Sequence, residues 1–201
     1  MRPMPPAAPV IRRFAPRTVL AMGIILATRR GAARRAGVVG GRITPMTDSE
    51  VRLVLMSDAE VAAWLPTAMA LYEQARLDAG DTPEQAAAGR RASEERFFPD
   101  GRLVDGQLLH AIRVDGEDAG WLWLGPWDEQ GDLWWIWDVE VHPDFRRRGI
   151  ARAAMLAGEG IAREHGAARL MLNVFGGNDG AIALYRGLGY EVASLHLAKP
   201  L

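Results

Sequence analysis

The 201-residue chain has no cysteine. Disulfides, thiolate zinc sites, iron–sulfur ligation and a cysteine nucleophile are excluded together. Histidine is scarce: His110, His142, His165 and His196 are scattered without ligand spacing, so no metal site is expected. Only four serines occur, none in Gly-x-Ser-x-Gly, which argues against a serine hydrolase. A Gly-x-x-x-x-Gly-Lys-Ser/Thr phosphate loop is missing too. The apolar run Thr18 to Thr28 is eleven residues long, against the ~20 a bilayer span needs. Arg17 and Arg29 close it on both sides, a poor match to a signal peptide. Neither a membrane nor a nucleic-acid partner is expected, and the localisation expected is cytoplasmic.

Acidic residues are missing from one stretch. Residues 1–45 hold nine arginines and no Asp or Glu. The rest has 15 basic and 25 acidic residues, a net of −10. The division expected is a basic, disordered extension over 1–45 and one domain over 46–201, with Met46 reading as a natural beginning. Hydrophobic residues at 49% and charged residues at 24% are ordinary for a globular protein.

The pattern turns regular near residue 50. Val51–Met56 alternates as a strand. Ser57 with Glu60, and Thr82 with Gln85, spell two capping boxes. They open helices to about Leu77, bent at Pro66, and to about Phe98. Leu108–Val114 and Ala119–Leu124 form a hairpin around Asp115-Gly116, and Leu133–Val141 is a third strand. A helix follows from about Gly149 to His165, with Ile150, Ala154, Ala157, Gly158 and Ile161 facing inward. Ala168–Phe175 reads as a strand covered on both faces, Ala181–Leu188 as a short helix, and Tyr190–Ala198 as a last strand. The order is β-α-α-β-β-β-α-β-α-β, an α/β (α+β) fold with no internal repeat.

Two constellations carry chemistry. At the start of the long helix stand Arg146, Arg147, Arg148, Gly149, Ile150 and Ala151. A helix N-terminus offers unsatisfied N–H groups and partial positive charge, and small residues let backbone approach an anion. Basic side chains there oppose the helix dipole, a conflict that a bound anion resolves. The second constellation is aromatic: six of seven tryptophans (121, 123, 127, 134, 135, 137) fall within 17 residues. Trp121 shares a strand face with Trp123, and Trp135 with Trp137. Beside Asp138 and Glu140 they suit a cationic acceptor through cation–π attraction, or they are core.

Arg146-x-x-Gly149-x-Ala151, led by Val141-His142-Pro143, resembles the Arg/Gln-x-x-Gly-x-Gly/Ala signature of the GCN5-related N-acetyltransferases. The second signature follows: Asn173-Val-Phe, then Asn178-x-x-Ala181-x-x-Leu184-Tyr185-x-x-Leu188-Gly189-Tyr190. The match covers 50–201 in element order and is specific from about 133 to 190, closest to stand-alone bacterial members. The resemblance implies a mixed, largely antiparallel sheet with a cleft between the strands near 139 and 171. Acetyl-CoA is the implied donor, with its pyrophosphate on the amides of Arg147 to Ala151 and Arg146 alongside. Val139 and Val141 would pair with the pantetheine arm, and Asn173 and Asn178 would line the cofactor. Tyr185 matches the tyrosine that protonates the departing thiolate, which a phenol near pKa 10 can do. A homodimer is a possible assembly.

Some family members carry a Glu base where this chain has Asn173. Glu140 and then Asp138 are the remaining candidates. They share a strand face unless a bulge intervenes. The function expected is direct acetyl transfer to a primary amine, cationic, of a small molecule or peptide. A non-catalytic acyl-CoA sensor, or an interaction protein working through the basic arm, are the alternatives.

Overall fold

Ser57 and Thr82 act as the two capping boxes require. Each hydroxyl accepts from the backbone three residues on, and Glu60 or Gln85 reaches back to the cap amide. Such caps contribute about 1 kcal/mol each. They open α1 (Asp58–Asp78) and α2 (Pro83–Phe97) in the computed structural model, which describes residues 50–128, 131–195, 197 and 199. The expected basic extension over 1–45 lies outside the described residues. Pro66 sits on the exposed side of α1 and does not break it.

The strands are β1 (Val51–Leu55), β2 (Leu108–Val114), β3 (Glu117–Pro126), β4 (Leu133–Val141) and β5 (Arg169–Leu172). They lie side by side in chain order, with antiparallel pairing up to β4 and parallel pairing between β4 and β5. Asp115 and Gly116 both take positive φ, 53° and 89°, as a two-residue hairpin turn demands. α3 (Ile150–Glu164) and α4 (Asp179–Gly187) complete the elements.

Two cores result, one on each sheet face. Ile112, Leu122, Leu124, Ile136, Val139 and Val141 meet α3 and α4 on one side. Trp121, Trp123, Trp135 and Trp137 meet α1 and α2 on the other. The buried face of α3 is Ile150, Ala154, Met155, Gly158 and Ala162. Ala157 is exposed and Ile161 only half-buried, because the stripe follows the 150-154-158-162 row rather than the one expected. Gly158 lets the helix lie against β3: a Cβ there would come 2.7 Å from Leu122 Cδ2.

Two further expectations are corrected. β5 stops at Leu172 and is only half-buried, because it pairs with β4 alone. Tyr190–Ala198 forms no strand among its described residues, and Val192 and Leu195 stand 67% and 73% exposed. β-propensity becomes a strand only where a ladder partner and a covered face exist.

Gly120 holds β3 tightly against β4. Its φ is +142°, and a Cβ there would lie 2.0 Å from the Glu140 carbonyl oxygen. The obstacle is backbone, so it cannot swing away. Gly120→Ala is expected to push β4 aside at Glu140 and to lower stability by roughly 2–4 kcal/mol, within the range of severe core substitutions. Urea unfolding measures it; a midpoint equal to wild type contradicts this reading of the contact.

Candidate active site

The decisive local feature is a bulge in β4. Trp123 pairs with Asp138 but its neighbour Leu124 pairs with Ile136, so Trp137 is the extra residue. Before it, Trp134 and Ile136 face α3; after it, Val139 and Val141 do. The bulge precedes Asp138, so Asp138 and Glu140 stay together on the α1/α2 face, opposite Trp123 and Trp121.

Pairing between β4 and β5 ends at Ile136 and Leu172. Beyond it, Trp137–Val141 runs on without β5, while residues 173–175 leave the sheet. The two strands thus part at the level of the carboxylates. Val139 and Val141 lie on this free stretch, and Asn173 is the first residue past β5.

Glu140 is 5% exposed. Burial pushes its carboxyl up to about 7, with the Asp138 charge adding to the rise and Arg146 opposing it. Arg146 reaches back to it: the guanidinium donates to Glu140 Oε1, and Nε donates to the Val141 carbonyl at 2.7 Å. The side chain expected beside an anion is instead engaged at the end of β4, because a buried carboxylate attracts the nearest cation. Asp138 accepts from the Trp121 indole N–H at 2.7 Å.

Tyr185 on α4 is 3% exposed, and its hydroxyl meets no hydrogen-bond partner among the described residues. Burial and the nearby charges of Asp138, Tyr190 and Glu140 hold the phenol well above its ordinary range. It stays protonated at any physiological pH. Its ring packs edge-on against Tyr190 at 6.0 Å.

Gly149 caps α3 with φ +81° and ψ −2°, with no side-chain cap and no acidic residue in the first turn. Arg147 also takes a positive φ of 62°. Arg147 and Arg148 are exposed, and Arg148 lies over Phe145. Ile150 is buried and Ala151 half-buried, so only backbone is offered at this end. Asn178 caps α4, accepting from the Ala181 N–H at 3.2 Å.

The tryptophans expected to line the acceptor site pack largely into the core. Trp123 and Trp137 are fully buried, and Trp121 and Trp135 nearly so, with their ring faces taken by Trp64, Phe97, Phe98 and Trp127. α1 and α2 bring apolar and aromatic side chains down on them, which the strand pattern alone does not reveal. Arg96 was not singled out in the sequence: it stands over Phe97, Trp127 and Trp137. A charged residue on a helix gives no local signal that it will meet tryptophans from the sheet.

Residues 69–190 match the model of the acetyltransferase (GNAT) family. The N-acetyltransferase YdgE of Bacillus subtilis (strain 168) is 30% identical over 150 residues, spanning 73% of this chain and 95% of that protein. The streptothricin acetyltransferase of Streptomyces lavendulae is 29% identical over 172 residues, spanning 85% of this chain and 82% of its own. The crystal structure of YycN from Bacillus subtilis superimposes with a TM-score of 0.69 at 26% identity, over 76% of this chain and 99% of that one.

Proposed function

The chain belongs to the acetyltransferase (GNAT) family and is an N-acetyltransferase; we propose that its donor is acetyl-CoA and its acceptor the primary amine of a small molecule or peptide. One observation carries this reading: buried Glu140, with a carboxyl near neutrality, lies past the end of the β4–β5 pairing, and buried, protonated Tyr185 is close enough to feel its charge and that of Asp138.

The chain's residues fit such a donor. The α3 N-terminus offers its first amides without a side-chain cap, and the open space in front of Gly149 leaves room for phosphate oxygens. Arg147 and Arg148, exposed beside it, add charge. The free stretch Val139–Val141 offers backbone groups to an extended amide-bearing arm; Asn173, just past β5, and Asn178, at the start of α4, are the side chains we assign to the cofactor. Bound there, acetyl-CoA supplies an activated acyl group whose thiolate leaves.

Glu140 accepts the proton that an ammonium must lose before it can attack, directly or through water, which a group titrating near 7 does well at physiological pH. Asp138 lies on the same strand face beside it and would help draw the protonated amine in. Tyr185 donates its proton to the leaving sulfur, and a backbone N–H near Val141 faces the developing oxyanion. Arg146 acts as a positioning residue, pinning Glu140 to the end of β4.

Calorimetric titration with acetyl-CoA and thiol release on an amine panel test the reading together. The panel holds polyamines, aminoglycosides, amino acids and short peptides. Micromolar acetyl-CoA binding and release dependent on one amine class are expected. A chain that binds no acetyl-CoA overturns it.

A further inference from the structure

Arg96, at the end of α2, is placed unlike the helix's other paired cation. Arg90 bridges Glu73 and Glu94. Arg96 pairs with no carboxylate among the described residues; its Cζ instead lies 4.7 Å from the Phe97 ring centre, 5.2 Å from Trp137 and 5.5 Å from Trp127. Trp127 is half-buried, stacks on Trp137 at 5.5 Å and lies 4.6 Å from Trp135. The indole N–H groups of Trp135 and Trp137 are buried and meet no acceptor among the described residues. Buried donors seldom stay unmet in a folded protein. Here a guanidinium and two N–H donors, unmet among the described residues, share one aromatic cluster.

We propose that Arg96, Trp127, Trp135 and Trp137 form a subsite for a carboxylate carried by the acceptor, so that the substrate bears an amine at one end and a carboxylate at the other. This rests on the acetyl-transfer reading above and names its substrate class. A planar carboxylate matches the guanidinium fork and takes indole donors as well. A cation is disfavoured on the same faces, because Arg96 already covers them. Arg96 is exposed, so its guanidinium, seated over the rings, lies within reach of a ligand arriving from solvent. Trp137 adjoins Asp138 and stands three residues before Glu140 on β4. Three strand residues span on the order of 10 Å, the reach of a two- or three-residue peptide with free termini and more than an α-amino acid covers.

The test compares triglycine with triglycine amide as acceptors. Wild type is expected to favour the free acid by roughly threefold to tenfold in kcat/KM, as a charge-assisted pair with an exposed guanidinium allows. Arg96→Gln should bring that ratio to about 1 while changing the amide's kcat/KM less than about twofold, and Arg96→Lys should keep part of the preference. Independently of turnover, quenching of tryptophan fluorescence in the CoA complex should follow triglycine and not its amide. Equal use and equal binding of acid and amide by wild type overturn the subsite. So does an Arg96→Gln protein that loses both acceptors equally with a lowered melting temperature, since Arg96 would then only clamp α2 to the sheet. Acetyl-CoA calorimetry on the same proteins reports separately: lost donor binding in wild type strikes the acetyl-transfer reading itself.

Discussion

Tyr185→Phe is expected to lower kcat by about 10²–10⁴-fold, the usual contribution of a positioned proton donor, while acetyl-CoA affinity stays within about twofold of wild type. The phenol is buried among charges that keep its proton on, and its hydroxyl has no partner among the described residues. A departing thiolate supplies the missing acceptor. Phenylalanine preserves the ring and its edge-on contact with Tyr190, so the packing of α4 is retained. Losing an unpartnered buried hydroxyl should leave stability unchanged or slightly higher. Single-turnover thiol release and donor titration separate the two quantities. Unchanged turnover would falsify the assignment and leave Tyr185 a core aromatic.

The second large effect concerns Glu140. With its carboxyl raised to about 7, wild-type kcat/KM should rise about tenfold per pH unit below 7 and level off above it. Glu140→Gln should remove that limb and reduce kcat/KM by about 10²-fold or more at pH 8. Stability should move the other way. The unfolded chain releases this proton near 4.5 and the folded one near 7. The folded state therefore loses stability as pH rises from 4.5 to 7, and the whole loss is present above that window. A rise of this size corresponds to roughly 3 kcal/mol. Gln stands in for the neutral acid, so Glu140→Gln should melt higher than wild type at pH 8, and the two should converge at pH 4. A flat wild-type pH profile, or a variant less stable at pH 8, contradicts the assignment.

Arg146 ties these two effects together. Its guanidinium lowers the Glu140 pKa against the larger effect of burial. The carboxylate pair and Tyr185 also influence each other through charge, so the two substitutions should not be additive in rate.

Much of the fold was legible because its signals are short. The boxes at Ser57–Glu60 and Thr82–Gln85, the Asp115-Gly116 turn, the bounds of β4 and the Gly149 start of α3 each depend on residues within four positions of one another. The motif from Arg146 to Ala151 and the one ending at Tyr190 identified the family for the same reason: backbone approach and helix capping are written locally. The inward face of α3 was legible at Ile150, Ala154 and Gly158 but not at Met155 and Ala162, and the segment after Tyr190 was read as a strand from apolar content alone. Neither depends on neighbours in sequence.

By itself, then, the sequence determined most of the helices and strands, where the turn before α3 begins, and which tyrosine and carboxylates are available. Tertiary structure alone decided what they do to one another. One extra residue at Trp137 sets Asp138 and Glu140 on the α1/α2 face. The descent of α1 and α2 turned an aromatic stripe into core and brought Arg96 onto it. The end of β5 at Leu172 opened the strand edge beside them. The physical reason is range. Caps and turns close over a few residues, whereas a bulge, a burial-driven pKa and an unmet indole donor depend on what distant chain segments press against them.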